Sequence, residues 1–150
     1  MTDWKSDIEQ ALVDFVTVAK LAGKPISREK LVVEYMEAPH VPPARLPQGK
    51  MAVYGFWYKG EWLKVGMVGS KSNARYTSQH YNPASAQSTL AGSLLQDPRR
   101  SKGIDASTIG PWIKENCNRV NILMDNADNS KLLALLEAFL HVRLKPRYEK

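Results

Sequence analysis

The spacing of apolar residues divides the chain near residue 50. In residues 3–22, apolar side chains recur every three or four positions, which predicts an amphipathic helix. Residues 27–36 are read as a second, shorter helix. The four prolines of residues 38–49 then predict an extended connector. The first fifty residues are therefore interpreted as a helical arm and a Pro-rich connector, separate from the domain that follows.

After residue 50 the pattern becomes that of strands. Residues 51–58 and 61–69 are rich in aromatic and β-branched side chains, which predicts an antiparallel hairpin. Residues 119–125 are read as a third strand. Further helices are predicted over residues 73–81, 85–95, 107–116 and 130–144. The expected architecture is α+β, with a small three-stranded antiparallel sheet flanked by helices.

The turn of the hairpin decides which residues face each other. A three-residue turn over residues 58–60, with Gly60 in the left-handed conformation, would place Tyr54 directly opposite Lys64. A two-residue turn of Lys59 and Gly60 would instead put Tyr54 and Lys64 on opposite faces. The pairing of Tyr54 with Lys64 therefore depends on the longer turn.

Positive charge is concentrated in the second part of the chain. The net charge is +6, and residues 51–150 carry fourteen Lys and Arg against eight Asp and Glu, whereas residues 1–50 carry seven of each. This asymmetry favours a phosphate-rich partner for residues 51–150. The segments "DPRRSKG" (97–103) and "VRLKPRYEK" (142–150) are either contacts for a DNA backbone or solvated surface.

Composition and motif spacing argue against several other classes of protein. No apolar run approaches the roughly 18 to 20 residues of a membrane-spanning helix, and "MTDWKSDIEQ" is unlike a secretory signal, so a cytoplasmic location is expected. Cys117 is the single cysteine, which argues against a disulfide framework or a thiolate zinc site. The segment "GSKSNAR" (69–75) lacks the spacing of a phosphate loop.

Four short motifs in residues 51–150 resemble those of the GIY-YIG endonucleases. "AVY", which ends at Tyr54, and "KVG", which begins at Lys64, are similar to the paired signature of that family. The arginine of "NARYTSQHY" (Arg75) and the glutamate of "LLEAFLHVRLKPRYE" (Glu137) follow in the family's order. Lysine at the second tyrosine position resembles the branch that includes small type II restriction enzymes. The order of the four motifs, more than any one of them, carries the resemblance.

The resemblance implies hydrolysis of a DNA phosphodiester bond. Tyr54 would be the general base, and the Lys64 ammonium would lower the tyrosine pKa from its ordinary value of about 10. Arg75 would bind the scissile phosphate. Glu137 would hold one Mg²⁺, with Mn²⁺ as the alternative cation, to stabilise the leaving oxygen.

Two neighbours on the Arg75 helix, His80 and Tyr81, are candidates for a further hydrogen bond to the phosphate or to the nucleophile. Each candidate also has a purely structural explanation. A strand tyrosine such as Tyr54 usually packs between strands, and Glu137 flanks an apolar helical stripe as surface carboxylates commonly do. The joint order of the residues is what favours a site.

Three functions are compatible with this pattern. The first is a Mg²⁺-dependent, restriction-like DNA endonuclease in which residues 51–150 form the nuclease domain and residues 1–50 serve DNA binding or dimerisation. Cutting both strands would require a homodimer, because one site cuts one strand. The second is a non-catalytic nucleic-acid-binding or assembly module on the same fold, and the third is a repair or mobile-element nuclease. The presence of all four residue types favours an enzyme.

Overall fold

A computed structural model of the chain describes residues 3–84, 89–126 and 130–148. Within these ranges, none of the helices is long and apolar enough to cross a membrane. Short 3₁₀ turns lie at Arg28–Lys30 and Gln79–Tyr81. The regular elements are α1 (Trp4–Leu21), β1 (Val32–Met36), β2 (Lys50–Tyr58), β3 (Glu61–Val68), α2 (Asn73–Thr77), α3 (Leu90–Gln96), α4 (Ile109–Asn116), β4 (Asn118–Asp125) and α5 (Ser130–Leu144).

The four strands form one antiparallel sheet in the order β1-β4-β2-β3. The predicted α+β class is confirmed, but the prediction of three strands is wrong. The helix predicted over residues 27–36 is also wrong, because this segment forms a 3₁₀ turn followed by β1. The β1 sequence "VVEYM" is rich in β-branched and aromatic residues and pairs with β4 along its whole length. Strand pairing therefore overrides a weak helical pattern.

The other predicted elements are present with small shifts. Helix α5 has the predicted bounds, α1 is one residue shorter than predicted at each end, and β4 begins one residue earlier than predicted. The helix predicted over residues 73–81 is interrupted after α2, where the side chains of Thr77 and Ser78 hydrogen-bond to carbonyls one turn earlier. Part of the helix predicted over residues 85–95 lies outside the described residues, and α3 begins after the N-cap Thr89.

Helices cover both faces of the sheet. One face packs against α1 and α5 in a core that we call the apolar layer, which includes Ile8, Leu12, Phe15, Leu136 and Leu140. The other face packs against α2, α3 and α4 in a second cluster, which includes Tyr54, Phe56, Tyr76, Leu94 and Ile113. We call this cluster the polar layer, because the buried polar and charged residues of the described chain lie on or beside it. Elements from residues 1–50, namely α1 and β1, share the sheet and its core with the later residues.

Candidate active site

The turn between β2 and β3 differs from the predicted one. It contains two residues, Lys59 with φ 44° and Gly60 with φ 85°, and it pairs Tyr58 with Glu61. Positive φ at both central positions characterises the type I′ turn, whose twist matches that of the flanking strands. The predicted three-residue turn, with Trp57 paired to Glu61, is therefore wrong.

A β-bulge compensates for the shorter turn. The register shifts by one residue at Leu63, so that Phe56 pairs with Lys64. This shift returns Lys64 to the face of the sheet that carries Tyr54. Tyr54 itself lies opposite Gly66, two residues farther along β3 than predicted. The two candidate residues are thus diagonal neighbours on one face and not a directly opposed pair.

Gly66 provides the space that the Tyr54 side chain occupies. A Cβ atom at residue 66 would lie 2.5 Å from the Tyr54 hydroxyl oxygen and 2.8 Å from Cζ. The hydroxyl therefore crosses β3 at a position where any larger residue would displace it. The motif "KVG" contains this glycine, but its sequence context does not predict the contact with Tyr54.

His80 donates a hydrogen bond to the Tyr54 hydroxyl. The Nε2 atom lies 2.6 Å from Oη, and Tyr54 is only 1% exposed. The backbone N–H of Leu90 donates to the other ring nitrogen, Nδ1, at 3.0 Å, so the proton of a neutral ring must be on Nε2. Burial, with a smaller contribution from nearby cations, lowers the pKa of His80 to about 2. The ring is consequently neutral, with its single N–H directed at Oη.

The pKa of Tyr54 reflects opposing influences. Burial is the largest of them and raises the pKa, as does the negative charge of Glu137 to a smaller extent. The positive charges of Arg75 and Arg119, and a hydrogen bond from Arg75, act in the lowering direction. The net pKa is above the ordinary value, so the hydroxyl is protonated at neutral pH. The cations that act in the lowering direction are thus Arg75 and Arg119, whereas the sequence predicted Lys64 in this role.

Lys64 lies in the same buried region. It is 5% exposed, and its Nζ donates to the Tyr148 carbonyl oxygen at 3.4 Å. Its positive charge also contributes to the lowered pKa of His80. Lys64 therefore helps to keep the His80 ring neutral, which is the state in which His80 can donate to Tyr54 and still accept from the Leu90 N–H.

Arg119, on β4, is a buried cation that the sequence analysis missed. It is 0% exposed, and it donates from Nε to Asn121 Oδ1 at 2.8 Å, from Nη2 to the Tyr76 carbonyl at 2.7 Å and from Nη1 to the Tyr81 hydroxyl at 3.1 Å. Its guanidinium carbon lies 5.3 Å from the centre of the Tyr54 ring. Among the ion pairs of the described residues, none includes Arg119. Its partners are neutral, so its full positive charge acts on the site.

The sequence held a signal for Arg119. In "RVNILMD", the polar residues Arg119 and Asn121 alternate with Val120 and Ile122, and alternate strand residues share a face. The strand register then places Asn121 opposite Tyr54. Two polar residues that alternate with apolar ones in the middle of a strand could have indicated a polar site beneath the hairpin.

Tyr81 was a candidate for a hydrogen bond to the phosphate or the nucleophile, but its hydroxyl is directed elsewhere. Its hydroxyl lies 2.7 Å from Nε2 of His40 and accepts a hydrogen bond from Arg119. The other ring nitrogen of His40 lies 2.7 Å from the Cys117 carbonyl oxygen, which can only accept, so Nδ1 carries the proton. Tyr81 therefore supports Arg119, whereas His80 contacts Tyr54 directly.

Glu137 reaches this site from the other side of the sheet. One turn farther along α5, His141 donates from Nε2 to the Val65 carbonyl of the edge strand β3 at 2.9 Å. The same Nε2 lies 4.0 Å from Glu137 Oε2. The carboxylate, about one quarter exposed, influences the pKa of Tyr54. The structure thus brings together all the predicted site residues, which are Tyr54, Lys64, Arg75, His80 and Glu137.

The site offers one carboxylate as a ligand for a divalent cation. The described residues hold no group of three or more His, Cys, Asp or Glu side chains arranged to bind a metal. Mg²⁺ commonly keeps several waters and binds one or two carboxylates together with substrate oxygens. Glu137, partly exposed beside Tyr54, offers a single carboxylate of this kind.

No family model, no curated protein and no solved structure matches this chain. The geometry of the site and the order of its motifs are therefore the basis for assigning a function.

Proposed function

We propose that the protein is a Mg²⁺-dependent DNA endonuclease with Tyr54 as its general base. The observation that supports this most strongly is the environment of the Tyr54 hydroxyl, which accepts a hydrogen bond from neutral His80 beside the cations Arg75 and Arg119. Donors and positive charge on a phenolic oxygen favour its deprotonated form. The His80 bond would also satisfy the hydroxyl of a packed tyrosine, whereas the two cations add positive charge that favours the phenolate.

His80 acts on the phenolate as a fixed donor. Its Nδ1 already accepts from the Leu90 N–H, so the ring cannot take the phenolic proton without losing that bond. The bond from Nε2 to Oη persists when Tyr54 ionises and becomes stronger, because hydrogen bonds to charged acceptors exceed those to neutral ones. The proton of Tyr54 must then leave in a direction away from His80.

In the proposed reaction, a water molecule attacks the phosphorus atom and gives its proton to the Tyr54 phenolate. The bond from phosphorus to the 3′-oxygen breaks, and the 3′-oxygen takes a proton from a solvent water molecule, which yields a 5′-phosphate and a 3′-hydroxyl. Arg75 would bind the non-bridging oxygens with its planar guanidinium and offset the charge that develops there. A Mg²⁺ ion held by Glu137 would supply positive charge that stabilises both the leaving oxygen and the Tyr54 phenolate. Tyr54 afterwards returns its proton to solvent.

A non-catalytic nucleic-acid-binding module is the second candidate. The observation that favours it is the burial of Tyr54, since a hydroxyl that is 1% exposed and has a raised pKa is a poor base in the free protein. This candidate predicts DNA binding without cleavage. The endonuclease instead requires that substrate and cation lower the pKa of Tyr54 when they bind.

Cleavage of supercoiled plasmid distinguishes the two candidates. Wild type, Glu137→Gln and the control Glu29→Gln, which alters an exposed carboxylate on a 3₁₀ turn, are incubated with Mg²⁺ or with EDTA. We expect metal-dependent nicked or linear product from wild type and the control, and a loss of about 10³-fold in rate for Glu137→Gln. Circular dichroism and gel retardation should show an unchanged fold and DNA affinity in all three proteins.

Other outcomes would favour different conclusions. DNA that is retarded by wild type but not cut with Mg²⁺ or Mn²⁺ would favour the binding module. A chain that neither binds nor cuts DNA would contradict both candidates. Linear product that forms without a nicked intermediate would indicate two sites acting together, and gel filtration of the DNA complex would then show a homodimer.

A further inference from the structure

The two basic segments of the sequence meet at one surface pocket. In the described part of residues 142–150, Arg147 and Tyr148 donate backbone hydrogen bonds to β3 and hydrogen-bond through their side chains to Asp97, at 3.3 Å and 2.7 Å respectively. Asp97 begins the other basic segment, residues 97–103. The resulting pocket has a volume of about 430 Å³, and its walls include Tyr58, Arg99, Arg100, Lys102, Trp112 and Arg147.

The cations of this pocket are of two kinds. Arg100 and Arg147 form ion pairs with neighbouring carboxylates, and their side chains are only 16% and 27% exposed. Arg99 lies 3.6 Å from Asp97 but is 73% exposed, and Lys102 is also exposed. Arg100 and Arg147 therefore form part of the pocket wall, whereas Arg99 and Lys102 present positive charge to a group that enters the pocket. A guanidinium and an ammonium on a pocket rim are suited to phosphate.

Trp112, on α4, gives the pocket an aromatic wall. Its ring packs edge-on against Tyr58, with centroids 5.0 Å apart and an interplanar angle of 65°. Trp112 also borders a second depression of about 390 Å³, so indole surface is accessible from two sides. Aromatic side chains next to basic residues are the combination with which proteins bind unpaired bases, because every base has a face that can stack.

The pocket lies close to the candidate active site. Tyr58 is on the same face of β2 as Tyr54, four residues away, which corresponds to roughly 13 Å along a strand. Tyr148, beside the pocket, accepts a hydrogen bond from Lys64 through its carbonyl. At about 3.4 Å per stacked nucleotide, the separation is about four nucleotides, and fewer if the strand is unstacked.

We propose that this pocket binds an unpaired nucleotide a few positions from the scissile phosphate. Its phosphate contacts Arg99 and Lys102, and its base stacks on Trp112. The proposal rests on the proposed nuclease function and narrows the substrate class to DNA that has an unpaired segment beside the cleavage site. A fully paired duplex would engage the rim cations but not the indole.

The test measures DNA affinity in EDTA, where no cleavage occurs, by fluorescence anisotropy of a labelled single strand and of a blunt duplex. The proteins are wild type, Trp112→Leu, Trp112→Phe, the double variant Arg99→Gln/Lys102→Gln and the control Lys20→Gln/Lys24→Gln, which removes two exposed lysines near the end of α1. Plasmid cleavage with Mg²⁺ is measured in parallel for each protein.

We expect Trp112→Leu to weaken binding of the single strand about tenfold and to leave binding of the duplex unchanged, because only an unpaired base can stack. Trp112→Phe should recover most of the affinity. The double variant should reduce the slope of log K against log[salt] by about 1.4 for the single strand, since each phosphate contact contributes about 0.7. The lysine control should match wild type.

The proposal is overturned if the double variant binds the single strand with wild-type affinity and salt dependence, or if folded Trp112→Leu binds it with wild-type affinity. The double variant alters only exposed residues, so the test stands even if Trp112→Leu fails to fold. If wild type cuts plasmid and the pocket variants bind the single strand as wild type does, only the proposal about the pocket is overturned. If the pocket variants lose affinity for the single strand and wild type does not cut plasmid, the proposal about the pocket is supported and the proposed nuclease function is contradicted.

Discussion

The two faces of the sheet bury different kinds of side chain. The apolar layer, against α1 and α5, holds hydrophobic residues such as Phe15 and Leu136. The buried polar and charged residues of the described chain all lie on or beside the polar layer, and they are His40, Lys64, His80, Thr89, Arg119 and Asn121. Burial of polar groups costs free energy unless each finds a partner. If the sheet served only stability, both faces would therefore be expected to bury apolar side chains.

This difference indicates a division of tasks between the layers. Apolar burial contributes roughly 25 cal/mol per Å² to folding and requires no particular chemistry. In the polar layer, hydrogen bonds instead hold Tyr54, His80 and Arg119 in one arrangement. Substitutions in the apolar layer should therefore affect the free energy of unfolding, and substitutions in the polar layer should affect cleavage.

The largest expected effect is that of Tyr54→Phe on cleavage. Loss of the general base should lower the single-turnover rate by about 10³-fold. The free energy of unfolding should fall by only about 1 kcal/mol, because the buried Nε2–H of His80 loses its acceptor. Single-turnover cleavage and urea unfolding measure the two quantities. A rate within about tenfold of wild type would exclude Tyr54 as the base.

The converse substitution is Leu136→Ala in the apolar layer. Leu136 is 0% exposed, so the cavity should lower the free energy of unfolding by about 3 kcal/mol. The cleavage rate per folded molecule should stay within about twofold of wild type, since Leu136 packs in the apolar layer, on the opposite face of the sheet from Tyr54 and His80. Leu21→Ala, at an 83% exposed position of α1, is the control with little expected effect. A large loss of rate in folded Leu136→Ala would show that the layers are coupled.

Two glycines of the hairpin region provide a matched pair. Gly66→Ala would place a Cβ atom 2.5 Å from the Tyr54 hydroxyl oxygen, whereas Gly69→Ala meets nothing within 4 Å. Gly66→Ala should cost about 2 kcal/mol of unfolding free energy and, by displacing the hydroxyl, about 10²-fold in cleavage rate. Thermal unfolding and single-turnover cleavage are compared for both variants. Equal behaviour of the two would mean that Gly66 does not position Tyr54.

The smallest expected effect is a pH dependence of stability from His80. Its pKa is about 2 in the folded protein against 6.5 for the free side chain, so between these values the unfolded state binds more protons. The free energy of unfolding should therefore decrease as pH falls below 6.5, by at most about 1.4 kcal/mol per pH unit. His80→Asn, which cannot be protonated, should reduce this slope in urea unfolding measured from about pH 7 to pH 5. The slope that His40 contributes through its own lowered pKa has the same sign and should persist. Identical slopes in wild type and His80→Asn would contradict a buried, neutral His80.

Regular periodicity made much of the fold predictable. The apolar stripes of α1 and α5 and the β-branched, aromatic sequences of β2 and β3 identify these elements from local sequence. β1 was not predictable in the same way, because it has only five residues and its partner β4 lies more than eighty positions away. The bulge at Leu63 was missed because a register shift depends on the packing of neighbouring strands.

The sequence motifs indicated candidate site residues but not their contacts, and they did not include Arg119. The order of Tyr54, Lys64, Arg75 and Glu137 made them candidates, since the chemistry of each side chain is a property of its type. The tertiary structure decided which group acts on which. The Leu90 N–H determines the tautomer of His80, and neutral partners keep the buried Arg119 beneath the Tyr54 ring. Burial, hydrogen-bond direction and pKa depend on distances between residues that are far apart in the chain, and those distances exist only after the sheet and its two helical layers have packed together.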